Sequence, residues 1–291
     1  TADDTVLYES NAAHAGAASL ADTDWERNRT VSHIWRVDTD GSDVLQLTRG
    51  EDGESSPRWS PDGKLIAFLA DRADDKPRQI HLLRTLGGEA EALTEHATSV
   101  GDIQWSPDGK WIYFVSSDDK TEEEKAKEKA RDDVFAYDEN YEQSHLWRVE
   151  VASRKEERVT EGDFSILGYR LSRDGTLIAH HRSVNPLFGD NEQGEVWVMA
   201  ADGSAPRQLT DNGVAESGAE LSPDNRWVLF TSGSRGDLGE SYFNSNLFLV
   251  SAAGGALREL APGVGHGLDQ ATWSADGRQV WVLANTGVRD Q

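Results

Sequence analysis

Five times along the 291 residues a short apolar run meets a Ser-Pro-Asp-Gly or near-identical turn and continues into a second, more apolar run. The copies read "SSPRWSPDGKLIAFLADR" (55–72), "IQWSPDGKWIYFVSSD" (103–118), "YRLSRDGTLIAHHRSV" (169–184), "AELSPDNRWVLFTSGS" (219–234) and "ATWSADGRQVWVLANT" (271–286). Their serines, Ser60, Ser106, Ser172, Ser222 and Ser274, lie 46 to 66 residues apart. A period in that range requires a radial or stacked repeat architecture before any other fold. Within each copy the chemistry is that of a tight hairpin. Proline fixes φ at the first corner, aspartate hydrogen-bonds the turn backbone, and glycine takes a conformation that a Cβ resists. The run after the turn ("KLIAFLA", "KWIYFVS", "RWVLFTS") is β-branched, aromatic and apolar, as a strand covered on both faces must be.

Between the copies a second hairpin recurs: "HIWRVDTDGSDVLQLT" (33–48), "QIHLLRTLGGEAEALT" (79–94), "HLWRVEVASRKEERVT" (145–160), "EVWVMAADGSAPRQLT" (195–210) and "NLFLVSAAGGALREL" (246–260). Together the two hairpins make four strands per unit, the blade of an all-β, β-propeller fold. The grammar marks complete blades at about 55–94, 102–160, 168–210 and 218–261. A partial blade at 5–48 lacks its inner strand, with "TVLYES" as a second strand, and 270–286 supplies only an inner and a second strand. A single propeller domain therefore covers 1–291, and beginning and ending in mid-blade favours an arc of a seven- or eight-bladed propeller over a closed small ring. Open blade faces of such an arc leave homo-oligomerisation open.

Composition narrows the partners. Twenty-nine basic against 52 acidic residues give a formal net charge of −23, which repels nucleic acid and anionic membrane surfaces. No run reaches the length of a membrane-spanning helix, so no membrane insertion is expected. With no cysteine, neither disulfides nor thiolate metal sites are available. The chain starts at Thr1, and cytoplasmic and periplasmic or secreted locations both stay open.

The repeat resembles two groups of propellers: the periplasmic Tol-system propeller, a binding module, and the N-terminal propeller of the prolyl oligopeptidase family of serine peptidases. An insertion separates them. "TEEEKAKEKARDDVFAYDENYEQS" (121–144) stands in the second complete blade where other blades need a few residues. Thr121 and Glu124 have capping-box spacing, Glu123 and Lys127 sit four apart, and no apolar face exists, so a short solvated helix is expected within 119–144. This charged helix followed by "DDVFAYDENYEQSHLW" resembles the insertion of bacterial acylaminoacyl-peptidase-like members. The resemblance implies a C-terminal α/β-hydrolase domain of the same protein as partner, short peptides as substrates, and a propeller that selects them by size. In the dipeptidyl-peptidase branch an aromatic followed by paired acids grips the substrate's amino terminus; here Tyr137, Asp138 and Glu139 match that order. An α-ammonium is a cation at neutral pH, and converging carboxylates suit it.

Catalysis needs a serine on a Gly-x-Ser-x-Gly elbow with a later Asp and His. No such pentad occurs; "TSGSRG" (231–236) offers Ser234 two residues after Ser232 in a repeat position and reads as a loop. Five equivalent serines point to a shared structural duty. No catalytic residue and no cofactor are therefore expected in this chain. The eight histidines (14, 33, 81, 96, 145, 180, 181, 266) fall in unlike blade positions, and His180 and His181 are adjacent on a strand and face opposite ways. A metal centre, and with it a metal-dependent lyase, is not expected.

Overall fold

In the computed structural model the described residues are 9–285 except 11–14, 25–28, 39, 52, 73–76, 131–140, 188, 191–192, 234–244, 263 and 265–266. Among the described residues, twenty-two strands form a series of antiparallel sheets, the blades of a β-propeller, and one helix lies between two of the strands. The chain divides into two compact units, residues 1–119 with 146–158, and residues 120–145 with 159–291.

The first unit holds three four-stranded sheets. One is built from β1 (Glu9–Ser10), β2 (Ala15–Asp24), β3 (Arg29–Asp38) and β4 (Leu45–Gln46) in that order. The sequence pattern marked this blade as lacking an inner strand; Glu9–Ser10 pairs with Gly16–Ala17 and completes it. The reason is compositional: β2 reads "AGAASLADTD", without the Ser-Pro-Asp-Gly turn or the β-branched run that marks second strands elsewhere. The next sheet comprises β5 (Glu54–Trp59), β6 (Leu65–Ala70), β7 (Gln79–Arg84) and β8 (Glu91–Ala92). The third comprises β9 (Val100–Trp105), β10 (Trp111–Ser117), β11 (Ser144–Glu150) and β12 (Glu156–Arg158). Between β10 and β11 in the chain stands α1 (Glu122–Lys129), which belongs to the second unit. Its capping box closes as expected: Thr121 N donates to Glu124 Oε2 at 2.7 Å and Glu124 N to Thr121 Oγ1 at 3.3 Å, satisfying two of the helix's first amides.

In the second unit β13 (Ser165–Leu171), β14 (Leu177–Ser183), β15 (Glu195–Ala200) and β16 (Arg207–Gln208) form one sheet. A second contains β17 (Glu216–Leu221), β18 (Trp227–Ser232), β19 (Asn246–Ser251) and β20 (Arg258–Leu260). The hairpin β21 (Gly267–Trp273) and β22 (Val280–Asn285) follows.

Packing within each unit follows from the second strands. β6 and β18 each bury five consecutive residues, with alternate side chains entering the two faces of the sheet. Ala67, Leu69 and Ile80 pack with Ile103, Ile112 and Phe114, while Phe68 and Ala70 pack the other way with Ile34 and Leu83. In the second unit Ala179, Val196 and Val198 meet Ala219, Val228 and Phe230. Each buried valine, leucine, isoleucine or phenylalanine among them contributes on the order of 1.5–3 kcal/mol, and each alanine less. The inner-strand tryptophans add direction: Trp105 Nε1 donates to Arg58 O at 3.1 Å and Trp273 Nε1 to Glu220 O at 3.3 Å, each linking one inner strand to the one before it.

Candidate functional site

The repeated serines are turn residues. In every copy the serine hydroxyl donates to the aspartate two positions on, Ser60 to Asp62, Ser106 to Asp108, Ser172 to Asp174, Ser222 to Asp224 and Ser274 to Asp276, at 2.5–2.8 Å. The same oxygen accepts the amide five residues on, as from Leu65 to Ser60 at 2.9 Å and from Gln279 to Ser274 at 3.0 Å. Ser60 and Lys64 hold the Asp62 carboxyl down to about 2, so the turn acceptor is ionised at neutral pH. The fourth turn position is left-handed throughout: Gly63, Gly109, Gly175 and Gly277 at φ +68° to +71°, and Asn225 at +58°. Asparagine tolerates this region better than other side chains, which accounts for "SPDNRW". The only base each hydroxyl meets in its turn is a carboxylate of lowered pKa, too weak to activate it as a nucleophile.

The "LT" ending is explained by an equivalent device. Thr48, Thr94 and Thr210 accept the amides of Ile34, Ile80 and Val196 at 2.8–3.0 Å, satisfying buried third-strand donors. In the sheets β5–β8 and β17–β20 the inner strand begins with a glutamate that joins this cap. Glu54 accepts from Thr48 Oγ1 (2.8 Å), Gly50 N (2.9 Å) and His33 Nδ1 (3.0 Å). Glu216 accepts from Thr210 Oγ1 (2.6 Å), Asn212 Nδ2 (2.8 Å) and Val196 N (3.2 Å). Burial, reinforced by Glu195, raises Glu216 to about 7 against the pull of its Thr210 and Asn212 donors.

His180 and His181 do not converge. Burial, with the neighbouring His181 and Arg182 charges, holds His180 down to about 3, and burial holds His181 to about 4. His181 Nε2 accepts the Ala219 amide at 3.1 Å. Among the described residues no three His, Cys, Asp or Glu side chains come together as metal ligands.

What does not repeat is the connection between second and third strands, at the end of each sheet opposite the Ser-Asp turns. In the second unit this end carries a cavity of about 290 Å³, lined by Asp163, Phe164, Arg182, Asp190, Glu195 and Trp197 among others. Arg182 lies over two rings, 3.5 Å from the centroid of Phe164 and 4.5 Å from that of Trp197, a cation–π arrangement on both faces. Burial lowers its pKa. The insertion returns to the sheet here. Gln143 Nε2 donates to Asp163 Oδ1 (3.0 Å) and to Val184 O (2.9 Å), and its Oε1 accepts from Ser165 Oγ (2.6 Å). Tyr137, Asp138 and Glu139 lie outside the described residues, as does Ser234. Sequence reading missed Arg182, Phe164 and Gln143; the aromatic at 197 and the arginine beside the double histidine were visible, but only the strand register brings them to one wall.

Residues 33–227 match the family model described as the lipoprotein LpqB beta-propeller domain. The chain belongs to this β-propeller family. A 70-residue segment, 24% of the chain, is 40% identical to the uncharacterized peptidase YuxL of Bacillus subtilis strain 168. That segment spans a tenth of the Bacillus protein. Among solved structures, the acylaminoacyl peptidase of Pyrococcus horikoshii superposes with a TM-score of 0.65 at 14% identity, over 96% of this chain and 42% of that one. A TolB-like protein of Agrobacterium tumefaciens gives a TM-score of 0.57 at 20% identity, over 87% of this chain and 80% of that one. The propeller fold is thus shared with serine peptidases and with TolB-like proteins, and the chain spans less than half of the acylaminoacyl peptidase.

Proposed function

We propose that this chain is the non-catalytic propeller of a serine peptidase acting on short peptides, followed in its parent protein by an α/β-hydrolase domain. The 40% identity over 70 residues to an uncharacterized Bacillus peptidase carries this reading, and the likeness in fold to the acylaminoacyl peptidase and the charged helical insertion support it. In this role the propeller admits peptides by size. The parent's serine would attack the peptide carbonyl with histidine as base, through an acyl-enzyme. Tyr137, Asp138 and Glu139 would receive the substrate's amino terminus. The motif is joined by Asn140, Tyr141 and Glu142 to Gln143, whose anchoring beside the Arg182 cavity favours that end of the sheet for substrate contact.

The test uses the intact parent enzyme. Glu139→Gln should lower turnover of free-amino peptides by about tenfold, the loss of one charge-assisted contact, and leave N-blocked peptides within about twofold. Equal losses on both would remove the amino-terminus role. A parent lacking Gly-x-Ser-x-Gly and inactive on short peptides would instead leave the second reading, a TolB-like protein-binding module, which the 80% coverage of the Agrobacterium protein favours.

A further inference from the structure

The second strands repeat a small residue at one register position, and one blade departs from it. Ten positions after the turn serine stand Ala70, Ser116, Ser232 and Ala284, paired with Glu54, Val100, Glu216 and Leu268 of their inner strands. Ala70, Ser116 and Ser232 are buried. In the sheet β13–β16 the same position, paired with Ile166, holds Arg182. A guanidinium outgrows the space of a methyl or hydroxymethyl group. It lies instead against the Phe164 and Trp197 rings, at the wall of the cavity of about 290 Å³.

Arg182 keeps its charge without an ion pair. Directly opposite it on β15 stands Glu195, the expected cross-strand partner. Glu195 Oε1 instead accepts the amides of Asn212 (2.8 Å) and Gly213 (2.7 Å), and its Oε2 is buried without a hydrogen bond. Asp163 and Asp190 line the same cavity and are exposed. Each has one oxygen engaged, Asp163 Oδ1 by Gln143 Nε2 (3.0 Å) and Asp190 Oδ2 by Asn185 Nδ2 (2.9 Å). Among the described residues the second oxygen of each has no donor, and no carboxylate comes within ion-pair reach of the guanidinium. One cation and two aspartates thus line a single accessible cavity without neutralising one another. With rings against its faces, the guanidinium has its N–H edge left for an acceptor.

We propose that this cavity binds a compact zwitterion, a free α-amino acid or a dipeptide, with its carboxylate on Arg182 and its ammonium on Asp163 and Asp190. The planar fork of an arginine matches a carboxylate. A plain anion would meet the two aspartates and a net charge of −23, and a plain cation would meet Arg182. A ligand carrying both charges avoids both repulsions. The cavity of about 290 Å³ suits so small a molecule. Such binding requires no peptidase activity of the parent protein.

Calorimetric titration of the full-length protein with L-alanine, L-leucine and L-alanyl-L-alanine tests this, each compared with its N-acetylated and its C-amidated form. At least one zwitterion should bind saturably and at least about tenfold more tightly than either blocked form, the loss of one charge-assisted contact. Arg182→Ser, which copies the residue of two other blades, should weaken that zwitterion by at least about tenfold. A zwitterion held instead at a hydrolase active site would keep its affinity in this variant. Asp163→Asn combined with Asp190→Asn should weaken the zwitterion by at least about threefold and leave its N-acetylated form within about twofold. Both aspartates are exposed, so this second variant decides the matter should Arg182→Ser not fold. Tighter binding of the amino acids assigns the cavity to free amino acids, and tighter binding of L-alanyl-L-alanine assigns it to dipeptides. Equal affinity for a zwitterion and a blocked form, undiminished binding in either variant, or no saturable binding at millimolar concentration overturns the proposal.

Discussion

Glu216→Gln should change the sign of its effect with pH. In the native protein Glu216 titrates near 7, raised by burial and by Glu195, whereas an unfolded glutamate titrates near 4.5. Between these values the folded state binds more protons than the unfolded one. Stability is therefore full below pH 4.5 and is lost as pH rises through about 7. At about 1.36 kcal/mol per pH unit the loss reaches roughly 3 kcal/mol, and partial solvent access reduces it to about 1–2 kcal/mol. Glutamine carries no charge and escapes this loss. It also forfeits one acceptor oxygen, so that one of the Thr210, Val196 and Asn212 donors goes unmet, at about 1 kcal/mol. Urea unfolding followed by fluorescence of the ten tryptophans should then show the variant less stable by about 1 kcal/mol at pH 5. At pH 8.5 it should be equal to the wild type or up to about 1 kcal/mol more stable. A stability difference that stays flat from pH 4.5 to 8.5 would refute the assignment of a raised carboxyl to Glu216.

Ser106→Ala removes the acceptor of Trp111 N (2.9 Å) and the donor to Asp108 (2.5 Å); unfolding should show a loss of about 1–2 kcal/mol, and the peptide hydrolysis proposed for the parent should persist in the folded fraction, since the serine is a turn residue. Thr94→Val leaves the buried Ile80 amide unmet and should cost about 1–3 kcal/mol by the same measurement. At Gly203, φ is +87° and an added Cβ would collide with the carbonyl oxygen of Val159, so Gly203→Ala should lower stability by at least about 2 kcal/mol. Retention of wild-type stability in any of these would count against the corresponding contact.

The two hairpins of each blade were legible because they depend on local chemistry. Proline, aspartate and glycine make a turn wherever they stand together, and an apolar β-branched run after such a turn finds cover on both faces. The first blade resisted the same reading, because "AGAASLADTD" pairs through its backbone and carries no side-chain signature of a strand. The capping box of α1 was readable from Thr121 and Glu124 alone, since both partners lie within one turn.

By itself, then, the sequence determined the propeller repeat, the structural duty of Ser60 through Ser274 and the absence of a nucleophile elbow, all consequences of spacing along one strand or turn. Only the tertiary structure decided which side chains share a wall. Arg182 meets Phe164 and Trp197 through strand pairing and the end of the sheet, not through any motif. Burial likewise decided the protonation of Glu216 and His181, because desolvation is set by neighbours distant in the chain.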